Sequence, residues 1–192
     1  DRIVFLTGMT FTDSKRIFKY DHNKLFLSAF HITKDNLKIF SNLIQDFKPA
    51  ALRGYPSAIM LLTKYMRKNG IIPPKLKVII LTAECLLDEY RKEISSYWNC
   101  RIQNIYGQAE NVVSIGECEK GNLHISSEFG YMELVDKEGK SVAPGTPGKI
   151  IGTGFTNFAM PFIRYDTRDV AVLSTESCSC GRSLPVVKSI EG

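Results

Sequence analysis

Five β-favouring residues in a row, Val78-Ile79-Ile80-Leu81-Thr82, stand between two stretches of helical periodicity. An unbroken apolar strand has no polar face to give to water, so it belongs inside a parallel sheet covered by helices. The neighbouring segments agree. Thr33 is placed as an N-cap, and Leu37, Phe40, Ile44 and Phe47 follow at helical spacing until Pro49 ends the run. Residues 50–54 read as a short buried strand. Pro56 opens a second helix with Ile59, Leu62 and Met66 on its inner face, and Gly70 stops it. Leu87, Tyr90, Ile94 and Trp98 line a third helix, and residues 101–106 return as a strand. With apolar runs at 3–7 and 25–30, the alternation implies βαβ units and an α/β fold with a parallel sheet flanked by helices. In such sheets ligands collect at the carboxyl ends of the strands. Thr82-Ala83-Glu84 and Tyr106-Gly107-Gln108-Ala109-Glu110 are loops of this kind on consecutive strands, and are expected side by side.

Beyond Val112 the texture changes. Short runs at 113–117, 123–126, 130–135, 149–153, 162–165 and 170–173 are divided by turn signals such as Asp136-Lys137-Glu138-Gly139 and Pro144-Gly145-Thr146-Pro147-Gly148. That pattern predicts a small, distorted antiparallel β-barrel. The expected division is an α/β subdomain over 1–120 and a barrel-like subdomain over 121–192.

The second region also carries four soft ligands. Cys118 and His124 flank Glu119-Lys120-Gly121-Asn122, a hairpin turn by composition, and Cys178-Ser179-Cys180-Gly181 is a tight knuckle. Two ligands on a hairpin and two on a glycine turn suit a tetrahedral Cys3His zinc site. Four protein ligands leave no open position for water, so the expected role is structural. A lone Cys or His would carry no such weight, and Cys85 and Cys100 read as small buried hydrophobes.

Composition excludes several classes. The net charge of +5 is spread along the sequence, and the ligand spacing suits no finger motif, so nucleic-acid binding does not follow. No apolar run approaches the ~20 residues of a membrane span. Five cysteines with no secretory signal argue for reduced thiols and a cytoplasmic setting.

Three further features bear on chemistry. A strand ending in Tyr106-Gly107 offers an aromatic face to a base, and Gly107 permits close backbone approach. Glu110 can hold Mg2+ through one carboxylate while phosphate supplies other ligands. Asp169, after Arg164-Tyr165-Asp166-Thr167-Arg168, is placed to accept hydrogen bonds from ribose hydroxyls or simply to cap a turn. His31 ends an apolar run, where a histidine is more often structural. Arg164 and Arg182 read as partners in local salt bridges.

The runs Leu76-Lys77-Val78-Ile79-Ile80-Leu81-Thr82-Ala83-Glu84, Ile105-Tyr106-Gly107-Gln108-Ala109-Glu110 and Pro161-Phe162-Ile163-Arg164-Tyr165-Asp166-Thr167-Arg168-Asp169 together resemble adenylate-forming (AMP-binding) acyl-CoA ligases. The stretch 117–124 and Cys178-Ser179-Cys180-Gly181-Arg182 resemble the phenylacetate–CoA ligase-like branch, which includes proteins of capsular-polysaccharide synthesis. The resemblance implies that ATP and a small-molecule carboxylic acid give an acyl-adenylate and pyrophosphate, with transfer to coenzyme A or another acceptor. It implies that Tyr106 stacks on adenine and that the backbone of Thr82, Ala83 and Glu84, with Gly107, Gln108 and Ala109, lines the nucleotide site. It further implies that Glu110 helps hold Mg2+, that Asp169 binds the ribose and that His31 falls near the acyl pocket. Two positions depart from the family's common pattern. Ala109 stands where Thr or Ser is usual, and Arg168 where Gly is usual. The family's phosphate loop and C-terminal domain are absent, so the chain reads as the latter part of a large N-terminal domain and is expected to be inactive alone. The competing expectation is a degenerate nucleotide-binding or scaffold homologue in capsular or exopolysaccharide assembly.

Overall fold

The computed structural model describes residues 1–8 and 16–191. The chain divides into two compact units, Asp1–Gln103 and Asn104–Gly192. The division expected at 120/121 falls inside the second unit, because the end of the strand reaching Gly107 already bonds within that unit.

In the first unit, β1 (Ile3–Thr7), β3 (Lys24–Ser28), β4 (Ala51–Gly54) and β5 (Val78–Thr82) are parallel, in the order β3-β1-β4-β5. β2 (Phe18–Asp21) adds antiparallel to β3. The helices are α1 (Lys34–Phe47), α2 (Pro56–Lys68) and α3 (Asp88–Trp98), and a 3-10 turn, Ala29–His31, ends the run that the sequence reads as strand to residue 30. Thr33 Oγ1 caps α1 by accepting from Asn36 N at 3.2 Å. Lys48, in the left-handed region at φ 47°, closes α1 before Pro49.

One face of this sheet is the core. Val4 pairs with Leu25 and Leu52, and Leu52 with Ile79, so these residues share a face in register. They pack with Phe40, Ile44, Ile59, Leu62, Met66, Ile94 and Trp98, all buried. Burying each such side chain contributes roughly 1.5–3 kcal/mol. The other face differs from expectation. Val78, Ile80 and Thr82 are only partly buried, so β5 alternates rather than being covered on both sides. All three helices pack on the Val4-Leu52-Ile79 side. Leu87 is exposed, just ahead of α3, rather than on its inner face, and Cys85 is exposed rather than buried.

The second unit is an open antiparallel sheet in the order β6-β7-β8-β12-β11-β10-β9, not a closed barrel. Its strands are the end of β6 (Arg101–Gly107), then β7 (Ser114–Glu117), β8 (Leu123–Ile125), β9 (Gly130–Val135), β10 (Pro147–Gly154), β11 (Tyr165–Leu173) and β12 (Val186–Glu191). Among the described residues, β9 ends the order and does not pair back to β6. β11 joins two runs that the sequence reads separately, and β12 is a strand that it does not reveal. The core holds Val112, Val113, Ile115, Ile125, Leu134, Ile150, Ala171 and Val187. Val112 crosses the sheet so closely that a Cβ on Gly130 would lie 2.1 Å from its carbonyl oxygen, so glycine is required there. This crossing carries the segment after Glu110 over β9 and β10. Among the described residues no helix is long and apolar enough to cross a membrane.

Candidate functional site

The tip of β6 and the start of β11 meet within the second unit. Tyr106 is on β6, with Ile115 of β7 as its partner. Asp169 reaches it through a bulge. Lys149 pairs with Val170 and Ile151 with Asp166, so Thr167, Arg168 and Asp169 stand opposite Ile150 alone. Thr167 Oγ1 stitches the bulge by donating to Ile150 O at 3.1 Å, and Asp166 Oδ1 accepts from Arg168 N at 2.8 Å. The bulge holds Arg168 at φ 67°, a left-handed conformation that suits glycine. That is a physical reason for glycine to be usual at such a position.

The resulting contacts are short. Tyr106 Oη donates to Asp169 Oδ2 at 2.5 Å. Gln108 Nε2 donates to Tyr106 Oη at 3.0 Å, while Gln108 Oε1 accepts from Val113 N at 3.2 Å. Tyr165 Oη donates to Glu110 Oε1 at 2.7 Å. Tyr165 is steadied by an edge-on contact with Phe162, with ring centroids 5.1 Å apart at 75°. Burial, and then the Asp169 carboxylate, push the Tyr106 hydroxyl up to about 12. The bond from Tyr165 holds Glu110 below the usual carboxylate range. Glu110 is therefore held as the carboxylate near neutrality. Gly107 and Ala109 are exposed at the same tip.

The remaining predicted site residues lie in the first unit. Thr82 ends β5 and Ala83 and Glu84 follow it, with Ala83 in the left-handed region at φ 68°. Glu84 is engaged locally: its carboxylate accepts from Ser57 N and Ser57 Oγ, each at 2.9 Å, and so caps the positive end of α2. His31 Nδ1 meets Ser28 Oγ at 2.8 Å, and its carbonyl accepts from Asn36 Nδ2 at 2.8 Å, which braces the turn before α1. Arg164 and Arg182 are ion-paired, with Glu133 at 3.3 Å and Glu119 at 2.7 Å. Tyr165 is the residue that sequence reasoning passes over. Its signal is a spacing: it precedes Asp169 by four positions, as Tyr106 precedes Glu110.

The four soft ligands assemble in the second unit as a separate centre. The ligand atoms of Cys118, His124, Cys178 and Cys180 all lie within 4.8 Å of one another. Zn–S bonds of ~2.3 Å and a Zn–N bond of ~2.0 Å at tetrahedral angles give edges of about 3.8 Å for S···S and about 3.5 Å for S···N. Cys118 Sγ lies 3.7 Å from Cys178 Sγ, and Cys180 Sγ lies 3.5 Å from His124 Nε2. The donor set and its spacing therefore fit a tetrahedral zinc. Outer contacts orient it. His124 Nδ1 faces the Leu184 carbonyl at 3.2 Å, which fixes that nitrogen as the protonated one and leaves Nε2 as a ligand. Lys120 N donates to Cys118 Sγ at 3.3 Å, and Asn122 Nδ2 to Cys178 Sγ at 3.2 Å. Arg182, first through its backbone N–H, brings the Cys180 thiol down to about 6, into the thiolate form that binds metal. A cleft of about 370 Å3 at Asn122, Leu173–Glu176 and Val186–Lys188 is lined by none of the tyrosines or acids above.

No family model matches the chain. It is 34% identical over 149 residues to a phenylacetate–coenzyme A ligase of Thermus thermophilus, covering 73% of this chain and 33% of that protein. It is 30% identical over 155 residues to protein CapK of Staphylococcus aureus, covering 80% of this chain and 33% of CapK. The chain thus spans about one third of the length of the curated relatives it matches. Among solved structures, it matches a 2-hydroxyisobutyryl-CoA ligase in complex with 2-HIB-AMP and CoA, with TM-score 0.78 and 18% identity over 97% of this chain and 43% of that one. At that identity the likeness establishes the fold.

Proposed function

We propose that this chain, which belongs to the phenylacetate–coenzyme A ligase-like branch of the adenylate-forming ligases, supplies the adenosine-binding segment of an enzyme that activates a carboxylic acid with ATP. In the reaction, a carboxylate oxygen attacks the α-phosphate, pyrophosphate leaves, and an acyl-adenylate remains for transfer to a thiol such as coenzyme A. The observation that carries the reading is the joining of Tyr106 to Asp169 and of Glu110 to Tyr165 at one strand tip. The ring of Tyr106 offers a stacking face for adenine. Asp169 has one oxygen taken by Tyr106 and one left to accept from ribose hydroxyls. Glu110 likewise retains Oε2, which would hold Mg2+ together with phosphate oxygens. When bound there, the ion would supply positive charge against the phosphate oxygens.

Titrating AMP into the 15N-labelled chain tests this. The amides of residues 106–110 and 165–169 should shift, and Asp169→Ala should weaken binding about tenfold or more, as loss of a charged hydrogen-bond acceptor implies. Shifts confined to other surfaces would end the reading. The chain alone is expected to release no pyrophosphate with any carboxylate, since it spans 33% of its ligase relative.

The Cys3His centre is proposed to hold a structural zinc. Four protein ligands leave no place for water or substrate, so its work is to tie the 118–124 hairpin to the 178–180 knuckle. Metal analysis should return about one zinc per chain.

A second reading has one specific observation in its favour. Arg168 places an exposed cation, in a left-handed backbone, beside Asp169. With Ala109 contributing no hydroxyl, a degenerate homologue in polysaccharide assembly would retain the fold and metal centre but not adenylation. AMP binding without turnover by the full-length protein, on a panel of aryl and acyl acids, would select it.

A further inference from the structure

The second unit contains two segments of the same pattern, Tyr106-x-x-x-Glu110 and Tyr165-x-x-x-Asp169. Each tyrosine binds the acid of the other segment. Tyr106 Oη donates to Asp169 Oδ2, and Tyr165 Oη donates to Glu110 Oε1. The two bonds therefore cross-link the same pair of segments in opposite senses. We propose that this reciprocal clasp is a positioning device for the nucleotide site, with Tyr165 the residue that presents Glu110 to a divalent cation. The proposal deepens, and rests on, the adenylate-forming reading above.

The directions of the bonds follow from the atoms present. Gln108 Oε1 takes the Val113 N–H, so its amide nitrogen faces Tyr106 and donates to the phenol oxygen. The Tyr106 hydrogen is then directed at Asp169, which as a carboxylate only accepts. Tyr165 meets Glu110 in the same way, hydroxyl to carboxylate. In each acid one oxygen accepts from a phenol, Glu110 also takes its own backbone N–H, and lone pairs remain for a ligand. A glutamate with three free torsions would have to be frozen each time a cation arrived, whereas one held by a phenol is already placed. The phenol is itself fixed, by Phe162 against its ring and by the pairing of Tyr165 with Gly152 at the start of β11. Tyr106 is fixed by its place on β6 opposite Ile115. Neither tyrosine transfers a proton or contacts the reacting atoms in this scheme. Their work is to orient the acids and to leave one ligand position on each.

The clasp makes different predictions from a merely structural pair of bonds. In the chain with 13C-labelled tyrosines, two slowly exchanging hydroxyl protons should be visible by NMR without nucleotide. Glu110→Ala should remove the Tyr165 signal and Asp169→Ala the Tyr106 signal. Tyr165→Phe should weaken Mn2+ binding in the presence of ATP about threefold to tenfold, the range expected for loss of one charge-assisted hydrogen bond. ATP affinity in EDTA should stay at the wild-type value. Absence of the hydroxyl signals, their persistence in the Ala variants, or wild-type Mn2+ affinity in Tyr165→Phe would overturn the clasp. Should wild type show both signals yet bind neither ATP nor Mn2+, the nucleotide role fails, and the proposal with it, while the crossed bonds remain as structure. Equal losses of Mn2+ and metal-free ATP binding in Tyr165→Phe would count against the positioning role, because a general loosening of the sheet affects both.

Discussion

Arg168 is held at φ 67° by the bulge that brings Asp169 to Tyr106. A non-glycine residue in that region carries about 1–2 kcal/mol of strain, and glycine's extra freedom in the unfolded chain takes back about 0.5–1 kcal/mol. Arg168→Gly is therefore expected to stabilise the second unit by about 0.5–1 kcal/mol in urea unfolding, and destabilisation would show that the arginine side chain has a compensating contact. Thr63 makes the opposite case. Its hydroxyl is fully buried, donating to Ile59 O at 2.7 Å and accepting from Trp98 Nε1 at 2.8 Å. Thr63→Val keeps the shape but leaves the indole N–H without a partner, at a cost of about 1–3 kcal/mol. Trp98 fluorescence during denaturation reads this directly.

At the scale of elements, helix α2 begins with no side-chain cap of its own. The Glu84 carboxylate, arriving from the loop after β5, supplies it through Ser57. A carboxylate at a helix N-terminus contributes about 0.3–1 kcal/mol on an exposed surface. Glu84→Ala should lower stability by about that amount and speed amide exchange in the first turn of α2, while leaving β5 protected. Unchanged exchange would assign the capping to solvent. The same reasoning explains why the loop after β5 has a structural duty whatever it does for a ligand. Ala83 is turned into the left-handed region so that Glu84 can reach the helix.

At the scale of the whole molecule, the two units have separate apolar cores. The Cys3His cluster belongs to the second one alone, since all four residues lie beyond residue 104. Chelation, or Cys178→Ser, is expected to raise amide exchange across β7, β8 and β12 and to leave the amides of the Phe40–Ile59–Trp98 core much less affected. Equal loss of protection in both units would refute the assignment of separate cores. The same partition explains what was legible. Helical stripes such as Leu37-Phe40-Ile44 encode their own packing face, so α1 and α2 can be read from spacing. The short strands of the second unit carry weaker signals, and β12, with exposed Lys188 and Ser189, has none strong enough to read.

Sequence by itself determined the parallel α/β pattern, and it singled out the Cys118–His124 and Cys178–Cys180 pairs and Tyr106, Glu110 and Asp169 as candidates, because local periodicity and residue chemistry are carried by neighbours in the chain. Only the tertiary structure decided that the antiparallel sheet stays open and that β5 is covered on one face. It alone showed that each tyrosine of one segment holds the acid of the other. Those facts depend on contacts between residues sixty or so positions apart, such as Tyr106 with Asp169. No local pattern records which distant partner a hydroxyl will find. A bulge that sets three residues against Ile150 has to fold before Asp169 can face Tyr106 at all.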